Sequence, residues 1–325
     1  MAAIDNIAKK FMSDNTRFAD IFNYFIYECE PVISPDDLKS ADIEELILPF
    51  GNGKKGRIQK YRDVLKLWAA KQDEKALYVL LGEELQDTIH YAMPVKNMLY
   101  DAANYGKQVE EKANYYRNQA DWSNFTAGEF LSGFRKEDKL IPVITLVIYL
   151  HEDIWNGPKS IHELFGNIDQ RLLRFVPEYR INLISPGMVE DDALDKMLPD
   201  VDAVMRFIKY SNDKEMILKT FTNNSRYASI SPQSVDLINA VTGSNIKYKT
   251  KKGKVNMCTA MEEIKKEFIS QGIEQGIEQG IEQGIDLGQF RTLVSLTEKK
   301  YITIEQAAEE AGMSTEEFMS KMKIM

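Results

Sequence analysis

Cysteine is nearly missing from this sequence. The two that occur, Cys29 and Cys258, share no close spacing. That excludes a disulfide scaffold and indicates a reducing compartment, the cytoplasm. Long hydrophobic runs are missing too. The longest, Leu140 to Leu150, is too short to span a bilayer and fits a buried strand. The first residues, MAAIDNIAKKF, lack the apolar region of a signal peptide. Positive charge is in deficit: the net charge of -9 argues against a basic coat for indiscriminate DNA binding, though it leaves room for a local basic groove. The Gly-Lys stretch around Gly51, Gly53 and Gly56 lacks the order of a Walker loop. His151, Glu152 and Asp153 have no HExxH spacing and read as a loop at a strand end.

What remains is an ordinary soluble composition over 325 residues, enough for one large domain with appendages. The stretch from Tyr61 to Gln108 organises it. A short apolar run, Arg62 to Leu65, contains Asp63, and a second, Ala76 to Leu81, leads into Gly82, Glu83, Glu84, Leu85 and Gln86. Both read as strands, with Lys71 to Lys75 as the turn between them. Side chains alternate along a strand, so Glu84 and Gln86 share one face while Glu83 and Leu85 share the other. If the strands pair, Asp63 comes close to Glu84. Two converging carboxylates suit a hard cation such as Mg²⁺, with Mn²⁺ as an alternative.

A helix is expected from Pro94 to about Arg117, with Pro94 at its first position and a core stripe of Val95, Met98, Leu99 and Ala102. Lys139 to Leu150 reads as a central strand covered on both faces, and Tyr179 to Ile184 as a further strand closing an α/β core. Lys54, Lys55, Arg57, Lys60, Arg62, Lys66, Lys71 and Lys75 form one basic cluster over residues 54 to 75, and Lys247, Lys249, Lys251, Lys252 and Lys254 form another; a solvated loop or edge strand accounts for either equally well. Residues 16 to 28 place Phe18, Ile21, Phe22, Phe25 and Ile26 on one helical face. Residues 187 to 265 read mainly as helices, with Asp191, Asp192 and Asp195 as charges at a helix start. Residues 271 to 288 repeat Gln-Gly-Ile-Glu. A four-residue period drifts about 40° per repeat, so its apolar stripe spirals and forms no long left-handed coiled coil. Helix–helix association in an oligomer and a frayed tether both fit it. In the tail, Thr303 with Gln306 and Ser314 with Glu317 match capping boxes, and Gly312 stops the helix between them.

Asp63, then Glu84-x-Gln86 about twenty residues on, then a helix beginning MPVKNMLYDAANYGKQ, resembles the PD-(D/E)XK nuclease superfamily. The segments RFADIFNYF, YRDVL, GEELQ and VNMCTAMEEI, followed by the Gly-Ile-Glu-Gln repeats, are most similar to its branch of recombination-promoting nucleases or putative transposases. The resemblance implies a restriction-endonuclease-like core, a mixed central sheet flanked by helices, over residues 1–186. A helical extension (187–268), a repeat helix or tether (269–289) and a small helical tail (290–325) would follow. It implies a Mg²⁺-dependent endodeoxyribonuclease with Asp63 and Glu84 as metal ligands, and DNA as partner. Gln86 stands where the superfamily places lysine, and Lys96 would return that positive charge. Asp20, Tyr105 and Gln108 are the implied auxiliary residues, and Lys54, Lys55, Arg57 and Lys60 the implied DNA contacts. A nuclease scaffold that only binds DNA or assembles is the alternative, favoured by Gln86 and the net negative charge.

Overall fold

The computed structural model describes residues 2–41, 44–47, 58–61, 63–72, 75–119 and 124–324; side chains at 2–3, 44–47, 58–61, 70–72, 75–80, 82, 84, 267–268, 271–272, 274–275, 282–283 and 324 lie outside that description. The chain is a mixed α/β protein that divides into two compact units, Met1–Met261 and Glu262–Met325.

The first unit is built on a hairpin. Strands β4 (Val64–Gln72) and β5 (Lys75–Gln86) pair antiparallel from Val64↔Glu83 to Gln72↔Lys75. The turn falls inside the Lys71–Lys75 stretch, where polar residues interrupt two apolar runs. Alternation then sorts the side chains. Val64, Lys66 and Trp68 share a face with Leu81 and Glu83, and that face is covered by helices α1 (Ala2–Met12) and α2 (Asn15–Tyr27). Trp68 meets Tyr27 edge-on, and the Lys66 ammonium lies 4.8 Å from the Phe18 ring centroid. Of the face expected on α2, Phe18, Ile21 and Phe22 are buried, while Phe25 and Ile26 are only half-buried.

β5 continues past the hairpin into parallel pairing with β6 (Val143–Tyr149), and β6 pairs parallel with β7 (Asn182–Ile184). With β1 (Leu38–Ser40) on the other side, the sheet order is β1-β4-β5-β6-β7. β2 (Glu44–Ile47) and β3 (Ile58–Tyr61) form a separate two-stranded ribbon outside the main sheet. The β5–β6 crossover contains α3 (Met93–Gln119) and the short α4 (Ala127–Ser132). α3 lies on the face opposite α1 and α2: Thr145 Oγ1 donates to Asp101 at 2.7 Å, and Met93 packs with Val147, Tyr149 and Trp155. Its buried side is Met93, Asn97, Tyr100 and Asn104. This corrects the stripe of Val95, Met98, Leu99 and Ala102. Amphipathic spacing alone does not distinguish an aliphatic stripe from a partly polar one.

The remaining elements of this unit are α5 (Gln170–Leu173), α6 (Asp191–Lys196), α7 (Pro199–Lys209), α8 (Lys214–Phe221), α9 (Pro232–Thr242), and a small hairpin of β8 (Thr250–Lys251) and β9 (Lys254–Val255). α9 packs against α1 and α7, and α7 against α2. The helices after residue 186 therefore belong to the same compact unit as the sheet, and a boundary at 186 does not divide it.

The 42-residue α10 (Met257–Glu298) begins in this unit and absorbs the whole repeat. In the second unit, α11 (Ile304–Glu310) and α12 (Thr315–Ile324) start at the expected capping boxes and close a small core of Phe290, Ala307, Ala308 and Phe318. Both cysteines are free. Among the described residues, no helix is long and apolar enough to cross a membrane.

Candidate functional site: the open end of the β4–β5 hairpin

β4 stops at Val64, whereas β5 runs three residues beyond Val64's partner, through Glu84, Leu85 and Gln86. The strand therefore has backbone groups with no β4 partner, and these must be satisfied by something else. Asp63 does this: its Oδ2 accepts the Leu85 N–H at 2.9 Å. Its Oδ1 makes an ion pair with Lys9 Nζ, also at 2.9 Å, contributed by the last turn of α1. Asp63 thus ends the ladder, with one oxygen fixed by backbone and the other facing a cation.

Extending the hairpin register by one step sets Asp63 opposite Glu84. Glu84 is level with Val147 of β6, and Gln86 with Tyr149. Glu84's side chain lies outside the described residues. Gln86 is half-buried, and its Nε2 donates to the Leu85 carbonyl at 2.9 Å while its backbone carbonyl accepts from the Leu150 N–H. Lys96 is in the first turn of α3, with its ammonium 5.8 Å from the Tyr100 ring centroid. On α3, Asn97 falls one turn after Met93, which packs on Val147, and one turn before Asp101, which bonds Thr145. Those two β6 residues are level with Glu84 and Gly82. Asn97 is fully buried, and neither atom of its amide has a hydrogen-bond partner among the described residues. A buried amide without a partner is costly to keep.

On the α1–α2 face sits a second pair of charges. Glu83 is fully buried, with neither carboxyl oxygen hydrogen-bonded among the described residues. Burial pushes its carboxyl well above the ordinary carboxylate range, Lys66 opposes that, and Asp63 adds to it. Burial lowers the Lys66 ammonium, and Glu83 holds it up. Lys66 Nζ donates to the Ser13 carbonyl at 2.7 Å and to Asn15 Oδ1 at 2.5 Å. Sequence reasoning missed Glu83 and Lys9 and misplaced Lys66, which the basic cluster puts in a solvated loop or groove and the structure buries under α2. Glu83 and Lys66 carried a signal: each interrupts an apolar alternation on the face later covered by α1 and α2. Lys9 carried none, because its contact with Asp63 depends on how α1 packs.

The expected auxiliary residues lie elsewhere. Tyr105 accepts the Val143 N–H at 3.1 Å, and Gln108 brackets Ile141, donating to its carbonyl at 3.0 Å and accepting its N–H at 2.6 Å. They anchor the entry to β6, whereas Gln86 lies level with its exit. Fourteen residues separate Gln108 from Pro94, about 20 Å along a helix, so the same helix cannot bring both to one site. Lys54, Lys55 and Arg57 fall outside the described residues. Lys60 is placed in β3, but its side chain is not described. Asp191 and Asp195 pair with Lys209 and Arg206, as expected of helix-start charges rather than ligands. Among the described residues, no three His, Cys, Asp or Glu side chains stand together to hold a metal.

Asp20 is also displaced. Its Oδ2 accepts the Leu198 N–H at 2.8 Å, at the start of α7. Burial, outweighing that hydrogen bond and the nearby Arg226, raises its pKa from 3.8 to about 6. A carboxyl with a raised folded-state pKa holds its proton more tightly when folded. It therefore favours the fold at acid pH and opposes it as pH rises through about 6. Asp20→Asn keeps an acceptor for Leu198. It should gain about 1–2 kcal/mol at pH 7, after allowance for solvent at this half-buried group, and almost nothing at pH 4. Chemical denaturation at the two pH values checks this. An equal change at both would show that the carboxyl's titration is not involved.

Neither a protein-family model, nor a curated protein, nor a solved structure matched the chain.

Proposed function

We propose that the chain is a metal-dependent DNA endonuclease built on a restriction-endonuclease-like core, and that the open end of the β4–β5 hairpin is its active site. The observation that carries this reading is the hairpin register. Carried one step past its last pair, Val64↔Glu83, it would bring Asp63 opposite Glu84 with Gln86 two residues on, which is what the resemblance to PD-(D/E)XK nucleases implies. The first turn of α3, with Lys96, follows within ten residues of Gln86.

The donors suit a hard cation. Asp63 Oδ1 already faces an ammonium. Asp63 and Glu84 would hold Mg²⁺ or Mn²⁺. Such an ion, when bound, polarises the scissile phosphate and lowers the pKa of an attacking water. Gln86 orients that water or donates to phosphate, and Lys96 offsets negative charge developing on the phosphate. DNA would be held by its phosphates, with Lys54, Lys55, Arg57 and Lys60 as contacts. The role in recombination or transposition rests on the resemblance alone.

A second reading, a nuclease scaffold that binds DNA or assembles without cutting, is favoured by one observation: Asp63's charge is already countered by Lys9. A plasmid-nicking assay with Mg²⁺ or Mn²⁺ separates the two. The endonuclease reading expects metal-dependent nicking that disappears in Asp63→Asn and Glu84→Gln. Absence of nicking by the wild type, with DNA binding retained, would leave the second reading.

The partner of α10 is proposed to be a second copy of the chain. Ile269, Ile273, Ile277, Ile281 and Ile285 are each more than half exposed, and nothing crowds Gly276, Gly280 or Gly284. A stripe with a period above 3.6 residues favours a right-handed crossing. Replacing Ile277 and Ile281 with Ser should shift the sedimenting species from oligomer to monomer. A wild type that sediments as a monomer at micromolar concentration would end this proposal.

A further inference from the structure

The cation beside Asp63 comes from outside the hairpin. Lys9 belongs to the last turn of α1, a helix held down by buried Ala8, Phe11 and Met12, and by Arg17 donating to the Phe11 carbonyl at 2.9 Å. Lys9 is therefore delivered to Asp63 by a fixed element. Because Asp63 Oδ2 is committed to the Leu85 N–H, Oδ1 is the oxygen left to meet a ligand, and Lys9 Nζ lies 2.9 Å from it. The neighbouring pair on the covered face does not take this place. Glu83 is a buried acid, and the Lys66 ammonium is bonded to Ser13 and Asn15. Lys9's side chain is 38% exposed against 16% for Asp63. A four-carbon stem with that exposure can carry its charge into solvent without unfolding α1.

We propose that Lys9 is a positioning residue of the Asp63 site: its ammonium occupies the cation position on Oδ1, and a divalent ion must displace it. This deepens the endonuclease reading and rests on it. An ammonium and a divalent ion on one carboxylate oxygen repel each other, so Lys9 sets how tightly the site takes metal.

The test is Mn²⁺ binding to the full chain without nucleic acid, read from the electron paramagnetic resonance of free Mn²⁺. Lys9→Met keeps most of the stem and removes the charge; it should bind at least about tenfold tighter than wild type. Lys9→Arg should stay within about threefold of wild type, because it keeps the charge. Lys9→Gln gives the same comparison should the methionine variant misfold. Equal or weaker binding by both neutral variants overturns the role of Lys9. A failure of the endonuclease reading looks different: Mn²⁺ would bind Asp63→Asn as well as wild type, or bind no form of the chain at all.

Discussion

Asp63→Asn is expected to lower metal-dependent nicking by on the order of 10³-fold while leaving the fold in place. The size follows from the proposed role: loss of one of the two carboxylates that would hold the ion weakens the charge stabilisation at the reacting phosphate, at a cost of about 4 kcal/mol of transition-state stabilisation. The intact fold follows from the geometry. The replacement amide keeps an oxygen that can accept the Leu85 N–H, the bond that ends the ladder. The ion pair with Lys9 is lost, but Lys9 is more than a third exposed, so that loss contributes about 1 kcal/mol or less. Nicking rates and thermal unfolding of one preparation check both halves. Nicking within about tenfold of wild type would remove Asp63 from the chemistry.

The largest loss of stability is expected at Asp202, far from any proposed chemistry. Asp202 is fully buried on α7. Its Oδ1 accepts from Arg206 Nε at 2.8 Å, and its Oδ2 accepts from Arg226 Nε at 2.6 Å and from the Tyr227 hydroxyl at 2.8 Å. Arg206 also pairs with Asp195 of α6 at 2.7 Å. One carboxylate thus ties together two arginines and a phenol. Burial first, and then the charge of Asp202, raise the Tyr227 phenol pKa, as expected for a hydroxyl donating into a carboxylate. Asp202→Ala removes the buried carboxylate that both arginines share, leaving the buried Arg206 with only the more exposed Asp191 and Asp195 and taking the acceptor from Arg226 Nε and the Tyr227 hydroxyl, which costs about 3–5 kcal/mol. A shift of the urea midpoint measures it. A loss below about 1 kcal/mol would mean that water or neighbouring acids replace the carboxylate without penalty.

Local pattern carried far into this fold, and it failed where a second element decides. The β4–β5 pairing follows from period-two alternation, which is a property of one strand. The caps at Thr303 and Ser314 follow from side chains bonding their own helix. Asp20 sits on the helix where amphipathic spacing puts it, but spacing does not say that α7 will cover it. Likewise Tyr105 and Gln108 are polar groups on the right helix at the wrong end, spent on the entry to β6. Glu83 and Lys66 showed as charges out of place in an apolar pattern, and only the covering helices explain why they coexist. α10 is one continuous helix although each glycine in it costs roughly 1 kcal/mol relative to alanine. Its exposed isoleucines are the surface on which a partner would offset that cost.

Anomalous scattering from crystals grown with Mn²⁺ tests the spatial claim behind the proposed chemistry most directly. The account predicts a peak at the open end of the hairpin, within coordination distance of a carboxylate oxygen of Asp63 and of one of Glu84, with the Lys9 ammonium moved off Oδ1. A peak elsewhere, or Lys9 still seated on Asp63 with no metal between the two acids at saturating Mn²⁺, would contradict it.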